Sequence, residues 1–268
     1  MASATILDEI VAHRRKEVEA ARRAVPEAAL RERIPSCAAR MGFVSRLRRD
    51  APMALIAEVK RASPSKGDIA PGMDAAAQAL RYARGGASGI SVLTEPTWFK
   101  GSMQDMLSVR RALEPLAEGR PGVLCKDFII DRYQLVEAAV HGADAALLIV
   151  ACLGDAELGR LIADCRGLGM EPLVEVNNAE EARRAVAAGA TLVGINNRDL
   201  RNFNVDLSTT ERLAGMLPAH VLVAALSGVS TRADVERFGA AGAAAVLVGE
   251  SLMVAPDPAA KITELLGR

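Results

Sequence analysis

The chain has 268 residues, half of them apolar, and its 33 basic side chains balance 33 acidic ones. That composition belongs to a well-packed globular protein and excludes disorder, collagen and coiled coil. With zero net charge and an isoelectric point near 6.9, no field concentrates a polyanion, so neither nucleic acid nor an anionic membrane is an expected partner.

The four cysteines, at 37, 125, 152 and 165, show no C-x-x-C spacing and no disulfide density, and His13, His141 and His220 are scattered. No metal site is expected, and reduced thiols point to the cytoplasm. Asp8 and Glu9 interrupt the N-terminus before an apolar run forms, and no uncharged apolar stretch is long enough to span a membrane.

In chain order, residues 1–50 come first. Leu7, Ile10, Val11 and Val18, set among charged residues, read as an amphipathic helix. Such an extension either packs over the mouth of the following domain or stays solvated. From residue 54 a repeat begins. Gly86, Gly142, Gly189 and Gly242 each precede an alanine and an apolar run, at intervals of 56, 47 and 53 residues. Each interval holds two βα units, with a glycine able to take positive φ at a helix end. Further strands are expected at 54–60, 122–128, 171–176 and 221–226, giving eight in all. Helices are expected between them, for example at 75–84, 132–141, 155–168, 179–188 and 232–238. Eight alternating units imply a parallel (β/α)₈ barrel spanning one domain, 1–268, with residues 1–50 as a helical extension over its mouth. No G-x-G-x-x-G follows the first strand, which argues against a dinucleotide fold.

A parallel barrel places its active site at the C-terminal strand ends, so polar residues interrupting those ends are the informative ones. The first strand ends Glu58-Val59-Lys60, with Glu58 and Lys60 on one face. The third ends Lys126-Asp127, the fifth reaches Glu175, and the sixth ends Asn196-Asn197. Singly, each reads equally as a rim salt bridge or a cap. Together, lysines and acids converging from several strands suit general acid and base work. Ser227-Gly228 after the seventh strand and Gly249-Glu250 after the eighth let the backbone approach an anion, as a small phosphate site requires. The long first loop, residues 61–68, suggests a mobile cover. Trp98, Phe99 and Phe128, among few aromatics, fall on the same face.

These residues sit in six motifs, in order: IAEVKRASPSKG at 56–67, SVLTEPTWFKGS at 91–102, LCKDFIID at 124–131, PLVEV at 172–176, GINNRDL at 194–200 and LVGESLM at 247–253. By them the chain resembles the indole-3-glycerol phosphate synthases over nearly its whole length. The resemblance implies a cofactor-free carboxy-lyase of tryptophan biosynthesis. It would close the ring of 1-(2-carboxyphenylamino)-1-deoxyribulose 5-phosphate, with loss of carbon dioxide and water, to give indole-3-glycerol phosphate. It implies Lys126 as general acid, Glu175 as general base, Lys60 on the ring carboxylate and Glu58 positioning the lysines. Asn196, with Ser63 and Arg198, would bind substrate. Pro64, Phe99, Phe128, Leu147 and Leu200 would enclose the ring, and the backbones of Ser227, Gly228, Gly249 and Glu250 would hold the phosphate.

One position departs from the family pattern: Leu226 stands where glutamate is usual. With one acid fewer, the nearby lysines are expected to hold their protons less tightly than with glutamate, although the sign for each lysine is open. Two other readings are a sugar-phosphate isomerase such as phosphoribosylanthranilate isomerase, which the two-lysine set suits poorly, and a weakened paralogue acting as a binding or assembly subunit.

Overall fold

The computed structural model describes residues 5–37 and 39–268. Eight parallel strands close a barrel: β1 (Ala54–Val59), β2 (Gly89–Leu93), β3 (Gly122–Lys126), β4 (Ala145–Ile149), β5 (Glu171–Val176), β6 (Leu192–Asn196), β7 (Leu222–Leu226) and β8 (Ala245–Val248). Each pairs with its chain neighbours, and β1 pairs with both β2 and β8. Helices from Ala75–Arg84, Met103–Leu113, Arg132–Val140, Asp155–Gly167, Ala179–Ala187, Ser208–Ala214, Arg232–Ala240 and Pro258–Leu266 cover the outside. The four repeated glycines all take positive φ, between 82° and 97°, which is what stops each helix and turns the chain into the next strand.

Strand parity sorts the side chains. Leu55, Ala57, Val59, Ile90 and Val92 pack outward against the helices, while Ala54, Ile56, Leu124, Leu147, Leu173 and Leu192 fill the lumen. Continuing the inward parity brings Glu58, Lys60, Lys126, Glu175, Asn196 and Leu226 to the C-terminal end.

The first fifty residues divide between both ends of the barrel. Helix α1 (Ile6–Ala24), capped by Thr5, lies along the C-terminal mouth, where Arg14 Nη2 donates to Asp127 Oδ2 at 3.0 Å and Leu7 packs beside Ile149. After α2 (Glu27–Arg33), α3 (Phe43–Arg49) sits at the opposite end. A Cβ on Gly122, at the start of β3, would meet the Phe43 ring at 2.5 Å, and one on Gly89, at the start of β2, at 3.1 Å. The expectation that residues 1–50 cover the mouth is therefore corrected for α3. Glycines at two strand starts leave a hole in the barrel floor that an aromatic ring fills.

Candidate active site

One cavity of about 450 Å³ opens at the C-terminal strand ends, and all sixteen residues proposed from the sequence line it. Glu58 is buried at its base. Its Oε1 accepts from Lys60 Nζ at 2.6 Å, and its Oε2 lies 3.2 Å from Lys126 Nζ, without hydrogen-bond alignment. Burial alone would raise the Glu58 carboxyl, but the ammonium groups of Lys126 and Lys60 outweigh it and hold the carboxyl at about 2. For Lys126, burial opposes the charge, yet Glu58 and Glu175 prevail and its pKa lies above the ordinary lysine value. For Lys126, the sign left open by the sequence is thus decided by the carboxylates. Glu175 moves the other way: burial raises it, and neither Lys126 nor the Asn196 Nδ2 donation to Oε1, at 2.8 Å, fully offsets that.

Asn196 is itself held, its Oδ1 accepting from the Arg198 backbone N–H at 3.0 Å and its carbonyl from Asn177 Nδ2 at 2.7 Å. The neighbours one residue on point elsewhere. Asp127 turns out of the lumen to Arg14 and accepts from Thr94 Oγ1 at 2.6 Å, and Asn197 donates to the carbonyls of Leu226 and Ser227. Both belong to the scaffold because a one-residue step on a strand changes face.

Phe99 and Phe128, with ring centroids 6.0 Å apart and tilted by 42°, form the apolar side of the cavity with Pro64, Leu147 and Leu200. Ser227 and Gly228 take successive positive φ of 65° and 87°, the left-handed region that glycine adopts without a Cβ penalty. A Cβ on Gly228 would collide with Leu207. After the neighbouring strand β8, Gly249 precedes a one-turn helix, Glu250–Met253, whose first N–H groups lack intrahelical acceptors. The Glu250 carboxylate is paired with Lys66 of the first loop at 3.0 Å, which offsets its charge. That loop is a short hairpin, Ala62–Ser63 against Gly67–Asp68.

The cavity is also lined by Leu93, Leu247, Phe203 and Val229, which sequence reasoning missed. Extending the two-residue period to the ends of β2 and β8 would have found Leu93 and Leu247. Phe203, on the loop after β6, carries no such pattern. Among the described residues, no group of three or more His, Cys, Asp or Glu is placed to hold a metal ion.

The family profile described as indole-3-glycerol phosphate synthase matches residues 7–265. The multifunctional tryptophan biosynthesis protein of Schizosaccharomyces pombe is 57% identical over 87% of this chain, and that of Phycomyces blakesleeanus 52% over 98%. The chain spans only 30% and 35% of the length of those two relatives. The indole-3-glycerol phosphate synthase of a Roseiflexus species is 46% identical, with 98% of both chains covered. Among solved structures, 3-hexulose-6-phosphate synthase overlays with a TM-score of 0.61 at 20% identity, covering 80% of this chain and 99% of that one. Thiamine phosphate pyrophosphorylase from Pyrococcus furiosus overlays with 0.60 at 16%, covering 82% and 95%. At such identities they attest the barrel alone. With the family profile spanning almost the whole chain and relatives so similar along it, the chain belongs to the indole-3-glycerol phosphate synthase family.

Proposed function

We propose that this chain converts 1-(2-carboxyphenylamino)-1-deoxyribulose 5-phosphate to indole-3-glycerol phosphate, carbon dioxide and water. The observation that carries the reading is the division of protons among the buried charges. Lys126 is kept protonated by Glu58 and Glu175 and donates a proton to the substrate ketone oxygen as the ring carbon attacks the ketone carbon. Lys60, anchored by Glu58, holds the ring carboxylate until it leaves as carbon dioxide. The hydroxyl made from the ketone then departs as water. The proton lost from carbon as the ring double bond forms goes to Glu175.

Elimination supports Glu175 as the acceptor. Of the carboxylates at the cavity, Glu58 is held ionised between two lysines, Asp127 faces Arg14, and Glu250 faces Lys66. Glu175 combines burial, a raised pKa and a place on the wall; Asp127 shares all three, but its carboxylate is taken up by Arg14 and Thr94. The substrate phosphate would lie on the backbones of Ser227, Gly228, Gly249 and Glu250, and its aromatic ring between Phe99, Phe128, Leu147, Pro64 and Leu200, with Ser63, Arg198 and Asn196 on its polar edge.

No described helix is long and apolar enough to cross a membrane. A cytoplasmic site of action suits the four free thiols, of which Cys125 and Cys165 are buried. The test is the appearance of indole fluorescence when purified protein meets the carboxyphenylamino substrate. Absence of product from folded protein would favour the binding-paralogue reading that Leu226 motivates.

A further inference from the structure

The loop after β2 carries a buried acid that the proposed reaction does not use. Glu95 is fully buried, and its carboxylate accepts three consecutive-turn backbone N–H groups: Thr97 on Oε1 at 2.8 Å, and Trp98 and Phe99 on Oε2 at 2.7 and 2.9 Å. Its own carbonyl accepts from the Gly101 N–H at 2.9 Å. Gly101 closes the loop so tightly that a Cβ there would strike the Leu93 carbonyl. The loop is therefore folded around one side chain, with the sheet behind it.

We propose that Glu95 is a positioning residue for substrate, acting through Phe99. Three N–H groups converging on one carboxylate form charge-assisted bonds, which fix the backbone of residues 97–99 more firmly than neutral turns do. The Phe99 ring is thereby set against Phe128 at the apolar wall of the cavity. The two residues before it serve the same loop from the other side. Trp98 stacks edge-on to His13 of α1 with centroids 5.2 Å apart, and Thr97 Oγ1 lies 3.2 Å from His13 Nε2. Glu95 thus holds the aromatic wall and the docking edge of α1 in one geometry. The inference rests on this cavity being the substrate site.

The chain's single tryptophan is Trp98, so its emission reports this loop directly. Glu95→Gln keeps the size but turns an amide NH₂ towards N–H donors. The expected result is a KM about tenfold higher with kcat lowered less than threefold, as for loss of a contact equal in ground and transition states, together with a shifted Trp98 emission maximum. In a Phe99→Leu background the same change should raise KM much less, because both act on one wall. Equal falls in kcat and kcat/KM, unchanged Trp98 emission, or fully additive effects would each overturn the assignment. If Glu95→Gln fails to fold, Glu95→Asp, which keeps the charge and shortens the reach, takes its place with the same readouts. A wild-type protein without turnover would sink the functional reading alone. The Trp98 emission of the variant would still decide whether Glu95 sets the loop.

Discussion

Gly249 faces Glu58 so closely that a Cβ on the glycine would stand 2.6 Å from the carboxylate Oε1, and 3.1 Å from Lys60 Nζ. A glycine of the proposed phosphate loop and the central acid of the charge cluster therefore share one space. From the sequence alone, a bulky residue at 249 is expected to raise KM far more than it lowers kcat. The contact with Glu58 changes that expectation. Gly249→Val should raise KM and also lower kcat by about tenfold or more, since the displaced carboxylate carries both lysines. Steady-state kinetics on the folded variant decide it, and an unchanged kcat would separate the two sites again.

Lys126→Ala should lower kcat by about 10² to 10⁴-fold, the usual contribution of a positioned proton donor, with KM moved far less. Near-normal turnover in a variant with wild-type circular dichroism would remove Lys126 from that role and bring Lys60 forward.

The pH profile follows from opposite shifts. Glu175 must be ionised to accept a proton, and its raised pKa means that kcat/KM falls on the acid side before an ordinary glutamate would protonate. Lys126 stays protonated across the neutral range, so no basic limb from it appears below the ordinary lysine value. This alters what Leu226→Glu reports. The basic limb lies out of reach, whereas a new carboxylate near the same strand ends should lift the acid limb by about one pH unit through repulsion of ionised Glu175. The unfolding midpoint should fall as well, because Leu226 is 2% exposed and lies among lumen leucines. A lower midpoint with an unmoved acid limb would leave Leu226 as packing alone.

Glu58 makes stability depend on acid. Its carboxyl is depressed in the folded protein, so its contribution is fully present above the unfolded value near 4.5 and is lost as pH falls towards about 2. Glu58→Gln should flatten the fall in unfolding midpoint across that window relative to wild type. A parallel fall in both proteins would show that other carboxylates govern it.

Arg14→Ala leaves Asp127 buried without its cation, and breaking such a pair costs about 3 to 5 kcal/mol. Glu17→Ala removes a half-exposed partner of the same arginine and should cost far less. Denaturant midpoints for the two variants test the order.

The barrel and most of its site were legible because each depends on short-range pattern. Alternating parity along β1, β3 and β5 puts Glu58, Lys126 and Glu175 in the lumen wherever the strands close, and the repeated glycines mark the helix ends. What escaped depends on contacts between distant segments. Asp127 is one residue from Lys126, yet its partner lies 113 positions away on α1. Gly194 reads as a routine strand glycine, but a Cβ there would stand 2.7 Å from Leu226 Cδ1, so the two positions are sized for each other. Glu95 lay inside a recognised motif without a role, since backbone acceptors leave no trace in spacing.

The ring of Phe43 gives the barrel's eight-unit repeat an ingredient from outside itself. A protein beginning at β1 would retain every strand and every proposed catalytic group, yet its floor would hold a void the size of a phenylalanine side chain beneath β2 and β3. Emptying such a site costs about 3 to 5 kcal/mol, a large part of a domain's net stability. Any attempt to shorten this chain, or to exchange its quarter-barrels with those of another, must carry the stopper along with the staves.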